Sequence, residues 1–417
     1  MHVLILSQYF WPEDFRVNDL ALGLQERGHQ VTVLTGLPNY PEGRLYPGYG
    51  VGGPWRENFH GIEVIRVPLV TRGRSKGIRL ALNYLSFAVS AGLLGPLRCR
   101  GKFDLVFVVQ LSPITVGFPA LVLKATKGMP VMLWVLDLWP ESLSATGAVT
   151  SPRILGLVRR MVRTIYRGCD RILVSSRGFI ERVQKVGASP ELVFYFPQWA
   201  ESLYNPIQVD KDAPEPGQLP AGFRVMFAGN IGAAQDFPTI VAAAEKLKGH
   251  PDIHWLVLGD GRMRGWVEEQ VKERGLESTF HLLGRHPMEA MPRFFAMADV
   301  LLLPLKRDPI FALTVPAKLQ SYLACARPVI ASMDGEGAHI VQESSTGLAC
   351  PAEDPDALAE AVLAMYRMAP AEREAMGLRG RPYYETHFER EMLLDRLVGW
   401  MEDTARRHHM EAAIEKA

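Results

Sequence analysis

The sequence predicts an α/β protein made of two doubly wound domains, each a parallel sheet with helices on both faces. Three observations predict this. Short apolar runs alternate with longer amphipathic stretches in both halves of the chain, as strands buried on two faces and their crossover helices do. One Pro-, Gly- and Asp-rich stretch, ESLYNPIQVDKDAPEPGQLPAG (Glu201 to Gly222), interrupts the alternation. The 417 residues are enough for two cores of ordinary size. The expected organisation is a Rossmann-like domain over residues 1–200, a linker at 201–222, a second Rossmann-like domain at 223–388 and a helical tail at 389–417.

In the first half, HVLILS (His2 to Ser7) reads as a buried strand and not as a secretory leader, because it lacks a basic lead and a cleavage site. Asn18 to Arg27 reads as a helix stopped by Gly28. VTVLTG, GIEVIRVPL, DLVFVVQ, VMLWVLD and DRILVSS follow as strands, with helices between them. After the break the alternation restarts with FRVMFAGN, a helix from about Pro238, IHWLVLGD, TFHLLGR and ADVLLLP. A short amphipathic helix is expected from Ala317 to Ala324, broken by Arg327-Pro328 before the strand Val329-Ile330-Ala331. Arg390 to Ala417 reads as one amphipathic helix.

Composition narrows the function. Hydrophobic residues at 48% and charged residues at 22% suit a globular protein. Cys99, Cys169, Cys325 and Cys350 form no CxxC pair and read as buried reduced thiols. The net charge of +1 hides an asymmetry. Residues 1–200 hold 23 Lys and Arg against 13 acids, leaving 23 against 32 in the remainder. No acid occurs between Val64 and Phe103, where Arg66, Arg72, Arg74, Lys76, Arg79, Arg98, Arg100 and Lys102 bracket the apolar run Leu80 to Leu97. This pattern predicts a surface for anionic lipid at the cytoplasmic face of the inner membrane, with Arg72, Arg74, Lys76 and Arg79 as its cations. The bland alternative is a domain helix flanked by solvated arginines. Nucleic acid is not expected, because no aromatic-basic interleaving accompanies the patch.

Ligand chemistry in such sheets gathers at strand carboxyl ends. In the second half the helix opened by Ala317 puts Lys318 in its first turn, between two buried strands, where an ammonium can meet a diphosphate. Gly229, Asn230 and Gly232 follow a strand and let backbone N–H groups approach phosphate oxygens. LLGRHP (Leu282 to Pro287) is a strand-end loop whose Arg285 and His286 are placed to flank a base, with a lone surface histidine as the alternative, and its Gly284 is a further donor-side candidate. Glu336, in MDGEGAHI, is a Gly-flanked carboxylate expected at the same cleft. LGDGRMRG (Leu258 to Gly265) departs from the dinucleotide fingerprint by one residue. In the first half, SQYFWPEDFRVNDL is polar and aromatic where a dinucleotide loop is Gly-rich. It offers Glu13, Asp14, Arg16 and Asn18 to a ligand, with helix capping by Asp14 or Asn18 as the alternative. Asn39 and Tyr40 lie in a long loop, Gly36 to Gly53, read as an acceptor lip or as purely structural. Asp137, at a strand end beside Trp139, suits a general base or a hydroxyl-orienting group, with Glu141 next to it. No metal site and no cofactor are expected; the DKD at Asp210 to Asp212 falls in the linker.

Taken together, SQYFWPEDFRVNDLA, GLPNYPEG, DLWPES, SSRGFI, FPQWAE, FAGNIGAAQ, VPAKLQSYLACARPVIAS and DGEG resemble the retaining glycosyltransferases of family four, over nearly the whole chain. The branch resembled is that of bacterial O-antigen and capsule enzymes, including N-acetylfucosaminyltransferase-like members. The resemblance implies the GT-B fold, with the tail helix returning to the first domain. It implies a nucleotide-sugar donor, a UDP-sugar, on the second domain and a lipid-linked saccharide acceptor on the first. It also implies metal-independent transfer with retention. Gln235, Leu319 and Ser321 join Lys318 on the donor side. Three departures stand out. The two glutamates common at the donor helix are Leu313 and Ser321 here. The usual Arg and Lys after the first strand of the second domain are Asn230 and Gln235. The His often found before the Asp of the first-domain turn is Leu136. Lys318 is therefore expected to carry the diphosphate charge, with Asp137 and Glu336 as the other catalytic candidates. The leaving diphosphate itself would accept the acceptor proton. The competing readings are a sugar-nucleotide epimerase of the same architecture, a nicotinamide-dependent oxidoreductase and a non-catalytic membrane scaffold.

Overall fold

The computed structural model describes all residues except 51, 74–76, 146–148, 210–214, 216, 218 and 415–417. Arg74, Lys76 and the DKD of 210–212 therefore lie outside the described residues. The chain forms two compact units, one of residues 1–197 and 391–417, the other of residues 198–390.

Unit 1 is an eight-stranded sheet. Its strands are β1 (His2–Leu6), β2 (Gln30–Gly36), β3 (Arg56–Phe59), β4 (Ile62–Val67), β5 (Leu105–Gln110), β6 (Val131–Val135), β7 (Arg171–Val174) and β8 (Val193–Tyr195). Their order is β3-β4-β2-β1-β5-β6-β7-β8. Every pairing is parallel except β3 with β4. All residues of β5, β6 and β7 are buried, as helices on both faces require. The helix Arg16–Glu26 buries Val17, Leu20, Ala21 and Leu24, a single stripe at three- and four-residue spacing. The helix Ile78–Arg98 turns Asn83, Phe87, Ala88, Ala91 and Gly95 inward. At Gly95 a Cβ would come within 3.0 Å of Leu34, so the absent side chain lets the helix sit close to the sheet.

The tail helix, Arg390–Ile414, packs within unit 1. Leu393, Leu394, Leu397 and Met401 are fully buried, and the Trp400 ring lies 5.5 Å from Phe194. Arg27 pairs with Glu391 and Asp395, and Arg171 pairs with Asp403 at 2.6 Å.

Unit 2 is a six-stranded, wholly parallel sheet of β9 (Phe223–Ala228), β10 (Ile253–Leu258), β11 (Phe280–Gly284), β12 (Val300–Pro304), β13 (Val329–Ser332) and β14 (Gly347–Cys350). The order is β11-β10-β9-β12-β13-β14. Successive residues feed opposite layers, as the period of two demands. Met226, Leu256, Leu301 and Leu303 join one apolar cluster, and Val225, Phe227, Trp255, Val257 and Leu302 the other. The segment expected as a linker packs on unit 2. Tyr204 stacks on Phe295 at 5.8 Å, Glu215 pairs with Arg293 at 2.7 Å, and Leu219 enters the core.

Strand order reverses between β1 and β5 in unit 1 and between β9 and β12 in unit 2. Each reversal opens a crevice at the carboxyl ends of its sheet. All four cysteines are buried and free, as expected.

Candidate functional site

The unit 2 reversal point is lined by backbone. Gly229 follows β9 at φ 140°, and Gly259 follows β10 at φ 142°. They touch: a Cβ on Gly259 would fall 1.9 Å from the Gly229 oxygen. Gly259 N–H donates to the Gly284 oxygen at the end of β11, 2.7 Å away, which ties three strand ends together. A side chain at Gly229 would fall in the space that Lys318 takes, and one at Gly259 would strike the Gly229 backbone.

Lys318 lies in the first turn of the helix Ala317–Ala324, where expected. Its ammonium donates to Gln235 Oε1 at 2.6 Å and stands 4.0 Å above the Phe227 ring. A Cβ on Gly229 would meet Lys318 Cε at 2.7 Å and Nζ at 2.9 Å. Lys318, Gly229 and Gln235 are thus brought together. Among the described residues no carboxylate bonds this ammonium, and desolvation pulls its pKa down to about 7. A half-buried ammonium with one neutral acceptor at a helix N-terminus is an arrangement that an anion would complete.

The other donor-side candidates divide. Asn230 is exposed, with its amide against Gly232 and its carbonyl oxygen near Gly261. Arg285 is 78% exposed at its side chain, 3.5 Å from Asp260. Glu336 opens the helix Glu336–Glu343 after β13. Its cap Gly335, at φ 79°, packs on the Ala312 oxygen, so this helix start adjoins the segment leading into Lys318. Ser321 is buried one turn after Lys318. Leu319 is 0% exposed and belongs to the core, so its side chain faces away from any donor.

The unit 1 reversal point is built from side chains. Ser7, Gln8 and Tyr9 after β1 and Leu111, Ser112 and Pro113 after β5 line a narrow crevice. Asp137 follows β6. It accepts from Trp139 Nε1 at 3.2 Å and from Ser142, while Gln110 Nε2 holds its backbone oxygen at 2.9 Å. Ser112 lies close to both Asp137 and Tyr84, and Tyr84 close to Tyr9. Burial raises the Asp137 pKa against these donors, and raises both tyrosines. A file of hydroxyls therefore leads from the loop after β1 to a carboxylate at the end of β6. Tyr9, Tyr84 and Ser112 were not singled out from sequence. The available signal was position, since Tyr9 and Ser112 each lie two to three residues beyond the strands that flank the reversal.

Glu13 sits in the same region but is 2% exposed. Its Oε1 accepts from the amides of Asn39 (2.8 Å) and Tyr40 (2.7 Å), and its Oε2 from Phe10 (3.3 Å). Burial lifts its pKa to about 7 despite these bonds. Glu13 thus staples the loop after β2 to the loop after β1. Asn18 pins the same turn through Trp11 N–H and the Glu13 oxygen; the helix begins at Arg16, and Phe15 occupies its cap position. Asn39 is buried and accepts from the Arg72 amide at 3.0 Å, and the Arg72 guanidinium lies 4.8 Å from the Tyr40 ring. Arg79 donates to Thr71. Both arginines are therefore engaged with their own loop. Asp14 is exposed and Arg16 half-buried, while Glu141 opens the short helix Glu141–Ala145 after the Asp137 turn. Among the described residues no three His, Cys, Asp or Glu side chains gather as metal ligands.

Both halves of the chain match known families. Residues 15–199 match the glycosyl transferase 4-like domain, and residues 222–368 match glycosyl transferases group 1. The colanic acid biosynthesis glycosyl transferase WcaI of Escherichia coli is 25% identical over 336 residues, 78% of this chain and 81% of that one. The Pseudomonas aeruginosa glycosyltransferase WbjE is 28% identical over 310 residues, 72% of this chain and 74% of its own. The crystal structure of HepE from Anabaena, in complex with UDP and glucose, superposes with a TM-score of 0.70 at 13% identity. It covers 97% of this chain and 100% of that one, which shows the fold. The two domain matches tile most of the sequence, and the chain belongs to the group 1, 4-like glycosyltransferases of the GT-B fold.

Proposed function

We propose that the protein transfers a sugar, with retention and without a metal, from a UDP-sugar to a polyprenyl-diphosphate-linked saccharide in surface polysaccharide biosynthesis. The observation that carries this reading is Lys318, a half-buried lysine whose ammonium stands over Gly229 with no carboxylate bonded to it among the described residues. The names of WcaI and HepE support polysaccharide assembly and a uridine nucleotide.

In this reading the diphosphate lies on the glycine floor, with Lys318 against it. The acceptor hydroxyl oxygen forms its bond to the anomeric carbon on the face from which UDP departs, as the bond from that carbon to the β-phosphate oxygen breaks. The hydroxyl proton passes to the β-phosphate of the leaving group. Lys318 offsets the negative charge that grows there. Asp137, backed by Ser112 and Tyr84, orients the acceptor hydroxyl. Working on a lipid-linked acceptor, the enzyme would sit at the cytoplasmic face of the inner membrane.

The test is thermal stabilisation by UDP, GDP, ADP and NAD at equal concentration, since a ligand that binds only the native state raises the melting point. A shift selective for UDP is expected. Equal shifts, or none, would overturn the donor assignment.

A further inference from the structure

The helix Ile78–Arg98 is long and apolar enough to cross a membrane, yet one stripe of it, Asn83, Phe87, Ala88, Ala91 and Gly95, is buried in the fold. Asn83 Nδ2 donates to the Val70 oxygen at 2.6 Å, and the Asn83 carbonyl accepts from Gln8 at 2.7 Å. Crossing a bilayer would break these bonds and strip the helix from the sheet. The opposite side of the helix is bare. Ile78, Leu82, Leu85, Val89, Leu93 and Leu97 are exposed at three- and four-residue spacing, Leu93 at 68% and Leu97 at 71%. This ridge does not stop at the helix. Gly92 brings the half-exposed Val122 of the helix Gly117–Lys127 to 3.8 Å of its Cβ position, so Val122 continues the apolar surface.

At its carboxyl end the ridge runs into a pocket of about 570 Å³ lined by Trp55, Arg56, Glu63, Leu97, Arg98 and Arg100. The Arg98 guanidinium lies 4.8 Å from the Trp55 ring and bonds the Arg66 oxygen. Arg56 pairs with Glu63, the one acid present, and donates to the Arg98 oxygen at 2.6 Å. Arg100 is exposed, and no acid pairs with it among the described residues. The pocket thus holds two positive charges beyond its own acid, beside an aromatic ring and an exposed leucine.

We propose that this face is an anionic-bilayer docking surface. The ridge lies in the plane of the interface, and the Trp55, Arg98 and Arg100 pocket receives a phospholipid phosphate. The inference rests on the membrane part of the reading above and adds the site. Charge selects a bilayer over a second copy of the chain. No acid occurs from Val64 to Phe103, so a self-paired ridge would set arginines against arginines. An in-plane apolar helix with basic flanks instead suits anionic headgroups. It also accounts for the basic excess of this half better than Arg72 and Arg79, which their own loop engages.

The test is co-sedimentation with phosphatidylcholine vesicles, with and without phosphatidylglycerol, for the wild type, Arg100→Glu and Val89→Asp/Leu93→Asp. All three substituted side chains are exposed, and UDP stabilisation checks that each variant is folded. Arg100→Glu should weaken binding to the anionic vesicles roughly tenfold and leave neutral vesicles unaffected. The double variant should lose binding to both. Glycerol phosphate in solution should not displace the wild type from vesicles. Wild-type binding by Arg100→Glu would remove the pocket, and wild-type binding by the double variant would remove the ridge. A lipid-free dimer abolished by the double variant would make the face a self-interface. Absence of UDP stabilisation in the wild type would fail the donor assignment while leaving the vesicle result to stand.

Discussion

At the carboxyl ends of β9 and β10 in unit 2 the surface is glycine with the Lys318 ammonium beside it, and the exposed Arg285, near Asp260, lies further along at β11. At the same ends in unit 1 the surface is aromatic rings, hydroxyls and buried carboxylates. Gly229, Gly259 and Gly284 leave their strand ends bare, and Lys318 fills the single gap above them. Tyr9, Tyr84, Ser112 and Asp137 close the unit 1 crevice with groups that both donate and accept. A diphosphate is a dense, acceptor-only charge that an ammonium at a helix N-terminus satisfies. A saccharide presents hydroxyls, each of which needs a donor or an acceptor at a fixed place. Under the proposed function the two units would differ as a donor site and an acceptor site must, although both are doubly wound sheets.

Lys318→Met tests the sharpest side of that contrast and should have the largest effect. Losing the one cation at the glycine floor should lower turnover by roughly 10²–10³-fold, the cost of deleting a key group that stabilises transition-state charge. It should also abolish stabilisation by UDP. The same change should raise the melting point of the free protein. The folded pKa of Lys318 is about 7, below the ordinary 10.5, so between those values the unfolded chain binds the extra proton. Wild-type stability should therefore rise with pH over that window, and the variant should lose the slope. UDP affinity of the wild type should fall above pH 7, as the free amine must take up a proton to meet the diphosphate. Unchanged turnover would break the comparison outright.

Asp137→Asn asks whether unit 1 positions an acceptor. The amide keeps the shape but cannot accept at both oxygens, so the bonds from Ser142 and Trp139 compete with an N–H. Turnover should fall roughly 10–100-fold, the worth of a hydrogen bond to a charged group, while UDP stabilisation stays as in the wild type. A loss of UDP stabilisation would mean that the two sites do not divide the substrates as argued.

Much of this was legible in the chain, and the reason differs by element. β9, β10, β12 and the helix Ala317–Ala324 fall where apolar runs and Pro breaks put them, because full burial in a parallel sheet leaves an unbroken apolar signature. β3, β8 and β14 went unread. They are edge strands of three or four residues, and RENF has no apolar run at all. That Lys318 and Gly229 would meet was legible because strand-end position and residue type place both at the same end of the sheet. The Tyr9–Tyr84–Ser112–Asp137 file was not, since Tyr84 comes from the middle of an apolar helix and joins the others only through sheet order. The ridge was visible as hydrophobicity, but Trp55 and Arg98 meet through a turn of chain that no local pattern encodes.

Glu13→Gln separates positioning from contact in unit 1 and should have the smallest effect on turnover. The Glu13 carboxylate bonds three backbone amides and is buried, so it shapes the acceptor-side loop without needing to touch a sugar. A glutamine can keep its oxygen on Asn39 and Tyr40 but sets an N–H against the Phe10 amide, at a cost of about 1–3 kcal/mol for one unpaired buried donor. The pH dependence fixes the assignment. The folded pKa is about 7 against an ordinary 4.5, so the native state holds the proton longer. The carboxyl's contribution is full below about pH 4.5 and is lost as pH rises through 7. The wild type should therefore fall in stability relative to the variant across that window, with the difference flat above it. If the two pH–stability curves run parallel while KM for the acceptor rises, Glu13 meets the sugar directly, and unit 1 reads its substrate with one more carboxylate than the loop geometry implies.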